Sequence, residues 1–246
     1  NQYDYQVQSN TILGPGVADA AVIRIRPQEV FNSSTNFNRA IAAVVDCPNR
    51  WVLLDPERGS IAAVVESSRN LSCVGAKPLA VTNNLNFSSP KNPIGYWQLA
   101  SSCKGISKAC RELETPVTGG NVSLYNETKL SDDTVQPIQP TPIIGMVGLI
   151  ENLDIICSQE WKNIGDKICL LGLKLETSNV LDERISLAAS SYLEYIHGLI
   201  TGRPPKIDLV YEKHLHYFLR KIISEKLIKS AHDISAGGLA ISLAES

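Results

Sequence analysis

A mixed α/β fold is predicted by three features of this chain. Apolar runs of strand length recur between longer stretches with apolar residues three and four apart. Glycine and proline signals separate them. A hydrophobic content of 43% over 246 residues is enough for a sizeable core. The length suits either one large domain or two smaller ones; two α/β domains are expected, with strands and helices mixed along the chain.

Taken in order, residues 1–38 read as a lead-in segment whose one periodic signal is a strand over 18–25, rich in Ala, Val and Ile. Residues 40–46 form a second buried-strand candidate and 51–54 a short third, separated by the turn-like Cys47-Pro48-Asn49-Arg50. Asp46, Asn49 and Arg50 then lie at a strand end, where polar groups either serve a ligand or cap the turn. Ile61, Val64, Val65 and Leu71 mark an amphipathic helix over 60–74, stopped by Gly75 and Pro78. A strand returns at 79–82, and Tyr96, Leu99, Cys103, Ile106, Cys110 and Leu113 define a second helix. Residues 128–142 are polar and proline-containing, an exposed connection, and 143–149 read as a strand.

The pattern breaks over 152–165 and a fresh strand is expected at 167–172. That places a domain boundary near residue 155, between a first domain over 39–154 and a second over 155–246. Helices are expected at 181–199 and along the apolar face Tyr211, Leu215, Phe218, Leu219, Ile222, Ile223 and Leu227. His214 and His216 lie two apart on that helix, point in different directions and do not readily share a metal. Residues 231–239 read as a strand, a polar turn and a helix start, with His232 beside Asp233 an acid or base by residue type alone.

The charge balance is 23 basic against 25 acidic residues, net −2, without the basic stripe that tracks a nucleic-acid backbone. No apolar run approaches the roughly 20 residues that span a bilayer, and the start Asn1-Gln2-Tyr3-Asp4 is not a signal peptide. Neither nucleic acid nor membrane is an expected partner, and a cytoplasmic location is expected. The six cysteines form no Cys-x-x-Cys pair and read as reduced, mostly buried thiols rather than zinc ligands. The only methionine is Met146, and the chain stops at Ser246 inside an expected helix, so it reads as a fragment.

The densest chemistry lies in Thr118-Gly119-Gly120-Asn121-Val122-Ser123-Leu124-Tyr125-Asn126-Glu127. Read as a turn, its glycines let the backbone approach an anion, and successive N–H groups form an anion-binding concavity. Asn121 adds a carbonyl ligand and Ser123 a hydroxyl.

These residues, with Gln2-Tyr3-Asp4 near the start, Pro15-Gly16 with Ala18-Asp19-Ala20-Ala21-Val22, Leu79-Ala80-Val81-Thr82-Asn83-Asn84-Leu85-Asn86-Phe87, Pro140-Thr141-Pro142-Ile143-Ile144-Gly145-Met146-Val147-Gly148, and His232-Asp233-Ile234-Ser235-Ala236-Gly237-Gly238-Leu239-Ala240, carry a resemblance. Over almost its whole length the chain resembles the second half of the synthetase subunit of phosphoribosylformylglycinamidine synthase. The resemblance implies an aminoimidazole ribonucleotide synthetase-like half: an N-terminal α/β domain giving strands to a shared barrel, and a C-terminal α/β domain beside it. It implies ATP-dependent amidination of formylglycinamide ribonucleotide in purine synthesis, with ATP and Mg2+ as cofactors. The implied partners are the first half of the synthetase, a glutaminase subunit that supplies ammonia and a small bridging subunit.

By the family pattern Asn83 and Gly120 contact ATP, Asn121 holds magnesium and Ser123 contacts the substrate. The catalytic histidine and most metal carboxylates belong to the first half, so no catalytic residue is assigned here. Two positions depart from the pattern: Asn83, where relatives often have Asp, and Ser88, where Gly is common. The alternatives are a non-catalytic half that completes the barrel and holds a nucleotide structurally, or another ATP-binding synthetase of the superfamily. The length of the 119–127 match argues against the latter.

Overall fold

The computed structural model describes residues 9–26, 38–172 and 186–246. Its strands are β1 (Thr11–Leu13), β2 (Ala21–Arg24), β3 (Ala40–Asp46), β4 (Lys77–Asn86), β5 (Val117–Ser123), β6 (Glu127–Lys129), β7 (Val135–Pro137) and β8 (Thr141–Ile150). Six of them form one sheet in the order β1-β2-β3-β8-β4-β5, while β6 and β7 make a separate hairpin. All pairings in the large sheet are antiparallel except β4 with β5. A parallel neighbour requires a crossover, and helix α3 (Pro93–Glu112) provides it. The segment read as a lead-in contributes β1 and β2 to this sheet.

Before α3 come α1 (Asn49–Leu54) and α2 (Pro56–Cys73). Helix α2 starts four residues earlier than its apolar spacing indicates, because Asp55 accepts from Arg58 N at 3.0 Å and Pro56 occupies the first turn, where its missing N–H costs nothing. It ends where Gly75 takes a left-handed φ of 84°. Helices α2 and α3 pack on one face of the sheet over Val22, Ala42, Val81, Leu85, Ile144 and Met146. Strand side chains alternate, so Ile41, Val45 and Val147 fall on the opposite face, where Val45 is 69% exposed. Helices α4 (Ser191–His197), α5 (Leu209–Ser224) and α6 (Gly238–Glu245) follow, α5 lying against α2 and α3. Among the described residues no helix is long and apolar enough to cross a membrane.

Five sequence expectations change. Residues 51–54 are helical, with Trp51 N and Val52 N both donating to Pro48 O; a four-residue apolar run has no decisive period, and both edges of β3 are already taken by β2 and β8. The glycine segment 117–123 is a strand rather than a turn, because it pairs along β4. Residues 167–172 form no strand: Ile168 and Leu170 are exposed, with no described strand beside them. The helix expected over 181–199 begins at Ser191, where Ala189 takes a φ of 51° and Ser190 Oγ accepts from Leu193 N; 181–185 lie outside the described residues. Residues 231–235 are not a strand; among the described residues the pairing nearby is an isolated bridge between Ser158 and Ser230.

Candidate functional site

The two chemistry-rich segments of the sequence, 37 residues apart, are brought side by side as β4 and β5. Asn83 pairs with Gly120, Asn84 with Asn121 and Asn86 with Ser123. Alternation divides them: Asn83 shares the parity of buried Val81 and Leu85, while Asn84 and Asn86 share the open face with Asn121 and Ser123. Because β5 is the sheet edge, both sides of the pair are reachable by a ligand that meets that edge. On the open face lies a groove of about 370 Å³, floored by Val45, Ile143 and Gly145 and walled by Thr82, Asn84 and Asn121.

Each residue has a structural cause for its identity. A Cβ on Gly120 would sit 2.0 Å from Asn83 Oδ1 and 2.5 Å from Asn83 O, so the Asn83 amide occupies the space that glycine leaves. Asn121 Nδ2 donates to Asn84 Oδ1 at 3.2 Å, which turns the Asn121 carbonyl oxygen away from Asn84. Ser123 ends β5 half-buried, and its hydroxyl donates to Asn126 Oδ1 at 3.2 Å. The structure therefore gathers Asn83, Gly120, Asn121 and Ser123 on one strand pair. It also adds Asn84 and Asn126, which the sequence reading quoted without assigning a role. Alternation along 82–86 was the available signal for Asn84; Asn126 had none, because its part depends on the turn.

The anion concavity expected of consecutive glycine N–H groups does not form, since extended backbone sends successive N–H groups in opposite directions. As a metal site, Asn121 offers one neutral oxygen of the kind hard cations accept. Among the described residues no group of three or more His, Cys, Asp or Glu is arranged to hold a metal. The donor set thus fits a cation that takes most of its ligands from elsewhere, phosphate oxygens included.

The strongly perturbed ionisable groups lie in a different place, where α2 meets α5 and the segment before α6. Arg69 bridges Glu212 at 3.1 Å and Asp233 at 3.0 Å. Buried His216 contacts Ser68 Oγ and Glu212 Oε2, and burial holds its pKa below the usual histidine value. His232 contacts Asp19 at 2.8 Å and Glu245 at 3.2 Å; burial opposes its protonation, yet the two carboxylates raise its pKa. Asp46, at the end of β3, accepts from Ser67 Oγ at 2.8 Å and from Asn70, and burial raises its pKa. Burial, then Asp46 and Asp233, push Glu66 up to about 7. Asp46 therefore serves the seam, whereas Asn49 bonds Gln139 and Arg50 reaches Glu194 and Ser191. Cys73, Cys110 and Cys157 are buried, and Cys103 and Cys169 exposed.

Comparison with known proteins fits this geometry to a family. Residues 17–150 match the N-terminal domain of the AIR synthase related proteins and 163–246 match the C-terminal domain. Phosphoribosylformylglycinamidine synthase subunit PurL of Prochlorococcus marinus strain SARG is 67% identical over 246 residues, all of this chain and 31% of that protein. The PurL of strain MIT 9303 is 63% identical over 244 residues, 99% of this chain and 31% of its own length. The chain thus spans about a third of the length of these relatives. Among solved structures, Thermotoga maritima PurL complexed with ATP superposes with a TM-score of 0.51 at 32% identity, covering 63% of this chain and 23% of that one. The same protein complexed with FGAR gives 0.51 and 32% over the same shares. The chain belongs to the AIR synthase related protein family, and its likeness within that family is to the synthetase subunit PurL.

Proposed function

We propose that this chain supplies part of the nucleotide- and substrate-facing surface of a phosphoribosylformylglycinamidine synthase, a C–N ligase of cytoplasmic purine synthesis. The observation that carries the reading is the β4–β5 edge, where Asn83, Gly120, Asn121 and Ser123 fall into one register. In the proposed reaction the amide oxygen of formylglycinamide ribonucleotide is activated by ATP and leaves as phosphate, and ammonia takes its place as the amidine nitrogen. An amide oxygen is a poor leaving group, so charge on the transferring phosphoryl must be neutralised in a dry site.

Asn83 and the bare backbone at Gly120 are the proposed ATP contacts, Asn121 Oδ1 the proposed ligand to Mg2+, and Ser123 the proposed substrate contact. Bound Mg2+ would supply charge neutralisation at the phosphates. Asn84 holds Asn121 in the orientation that offers oxygen rather than nitrogen. The open sheet face with Val45 and Val147 is the surface proposed to meet the strands of the first half and complete a barrel. The further partners proposed are a glutaminase subunit and a small bridging subunit, in keeping with the likeness to the solved PurLQS of Thermotoga maritima. We divide the chain near residue 155, with β1 and β2 counted in the first domain because they extend its sheet, and the second domain over 155–246.

A second reading, a scaffold half that holds nucleotide only structurally, is favoured by the groove lining, which among the described residues is made of Val, Ile, Gly, Thr and Asn without an ionisable side chain. ATP-dependent amidine formation by this chain mixed with the first half of the synthetase separates the two.

A further inference from the structure

We propose that Asn126 is a positioning residue that sets the polarity of the Ser123 hydroxyl, so that Ser123 accepts a hydrogen bond from an N–H or O–H group of the substrate rather than donating one to its phosphate. This inference rests on the reading of Ser123 as a substrate contact and specifies what that contact recognises.

Strand β5 ends at Ser123, and Leu124, Tyr125 and Asn126 turn the chain. Tyr125 takes a φ of 62°, a left-handed conformation that a tyrosine keeps only where its surroundings impose it. Phe87, fully buried, is the anchor. Its N–H donates to Ser123 O at 3.0 Å, and its carbonyl accepts from Asn126 N at 3.2 Å. Inside this frame Asn126 Nδ2 donates to Ser123 O at 2.8 Å and to Phe87 O at 3.2 Å. Both acceptors are carbonyls, which have no proton to give, so the amide has one orientation and its oxygen faces Ser123. Ser123 Oγ lies 3.2 Å from that oxygen. An amide oxygen cannot donate, so the bond consumes the single hydroxyl proton and leaves two lone pairs on Oγ. A phosphate oxygen placed there would meet lone pairs. An amide N–H or a ribose hydroxyl would be accepted, and formylglycinamide ribonucleotide carries both.

The test measures KM and kcat for this substrate in the intact synthetase, as wild type, Ser123→Ala, Asn126→Ala and the double variant. A second arm uses Ser123→Ala against substrate analogues: one lacking each ribose hydroxyl, one N-methylated at each amide, and one lacking the phosphate. Losing one such hydrogen bond is expected to raise KM about tenfold. Both single variants are expected to show this with kcat less affected, and the double variant to be no worse than either. One donor-lacking analogue should bind wild type about tenfold more weakly and lose nothing further in Ser123→Ala; whether it is a ribose or an amide analogue identifies the donor. Losses that multiply in the double variant would reduce Asn126 to a structural role and overturn the proposal. Coupling of Ser123→Ala to the dephosphorylated analogue alone would overturn it as well. Unchanged kinetics in Ser123→Ala would instead overturn the substrate reading beneath it. The analogue arm needs no Asn126 variant and stands if Asn126→Ala does not fold.

Discussion

Two adjacent glycines in β5 do different work. Gly119 faces open space, whereas a Cβ on Gly120 would overlap both the side chain and the backbone carbonyl of Asn83. An amide can rotate aside, but a backbone carbonyl in a paired strand cannot. Gly120→Ala is therefore expected to cost about 1–3 kcal/mol by overpacking, and Gly119→Ala to stay within about 0.5 kcal/mol; denaturant unfolding of both variants checks the contrast. Equal, small effects would mean that the Asn83 carbonyl does not close the space beside Gly120. The sequence made these positions conspicuous because paired glycines beside Asn and Ser are unusual chemistry for a strand. It could not separate the two glycines, since their difference depends on which one falls opposite Asn83.

At the scale of elements, α2 carries the seam between the sheet and the later helices. Burial and the neighbouring Asp46 and Asp233 raise Glu66 to about 7, with Arg69 pulling the other way. A carboxyl raised above its ordinary value of about 4.5 binds its proton more tightly in the folded chain. Its contribution to stability is full below that ordinary value and is lost as pH rises through about 7. Asp46, also raised, adds in the same direction. Glu66→Gln is expected to flatten the fall in stability between roughly pH 4.5 and 7.5 and to stabilise the chain at pH 8 by up to about 3 kcal/mol. Melting temperature against pH for both proteins checks it, and parallel curves would remove Glu66 as the cause.

Legibility differed between elements for physical reasons. Helices α3 and α5 each bury one face, α5 against α2 and α3, and α2 is buried on nearly every side; the apolar residues three and four apart announced all three. Strand β3 was legible from 40 to 46 because it is a continuous apolar run in mid-sheet. Helix α1 was misread because four apolar residues fit either period, and only the occupied edges of β3 decide. The seam joins Arg69 to Asp233 across 164 positions, a separation that no local pattern reports.

For the whole molecule, one face of the six-stranded sheet is covered by helices while the other presents Ile41, Val45 and Val147 in mid-sheet, and the outer side of β5 has no partner strand among the described residues. An exposed apolar face next to an open edge is a template for association. Concentration-dependent self-association of the isolated chain is expected in sedimentation velocity, and Val45→Lys is expected to weaken it at least severalfold. A monomer at all concentrations would mean that this face does not pair strands with another chain. The four proposed site residues were named from family likeness and residue type, and the structure puts them on one strand pair.

The role proposed for this edge is one side of a shared catalytic site. Its most direct test is the rate of ATP-dependent amidine formation from formylglycinamide ribonucleotide, with ammonium and magnesium, by this chain mixed with the first half of the synthetase. Turnover is expected only in the mixture, with a loss of at least tenfold on Asn121→Ala and no loss of assembly. Turnover by this chain alone, or full activity of Asn121→Ala in the assembled mixture, would contradict it.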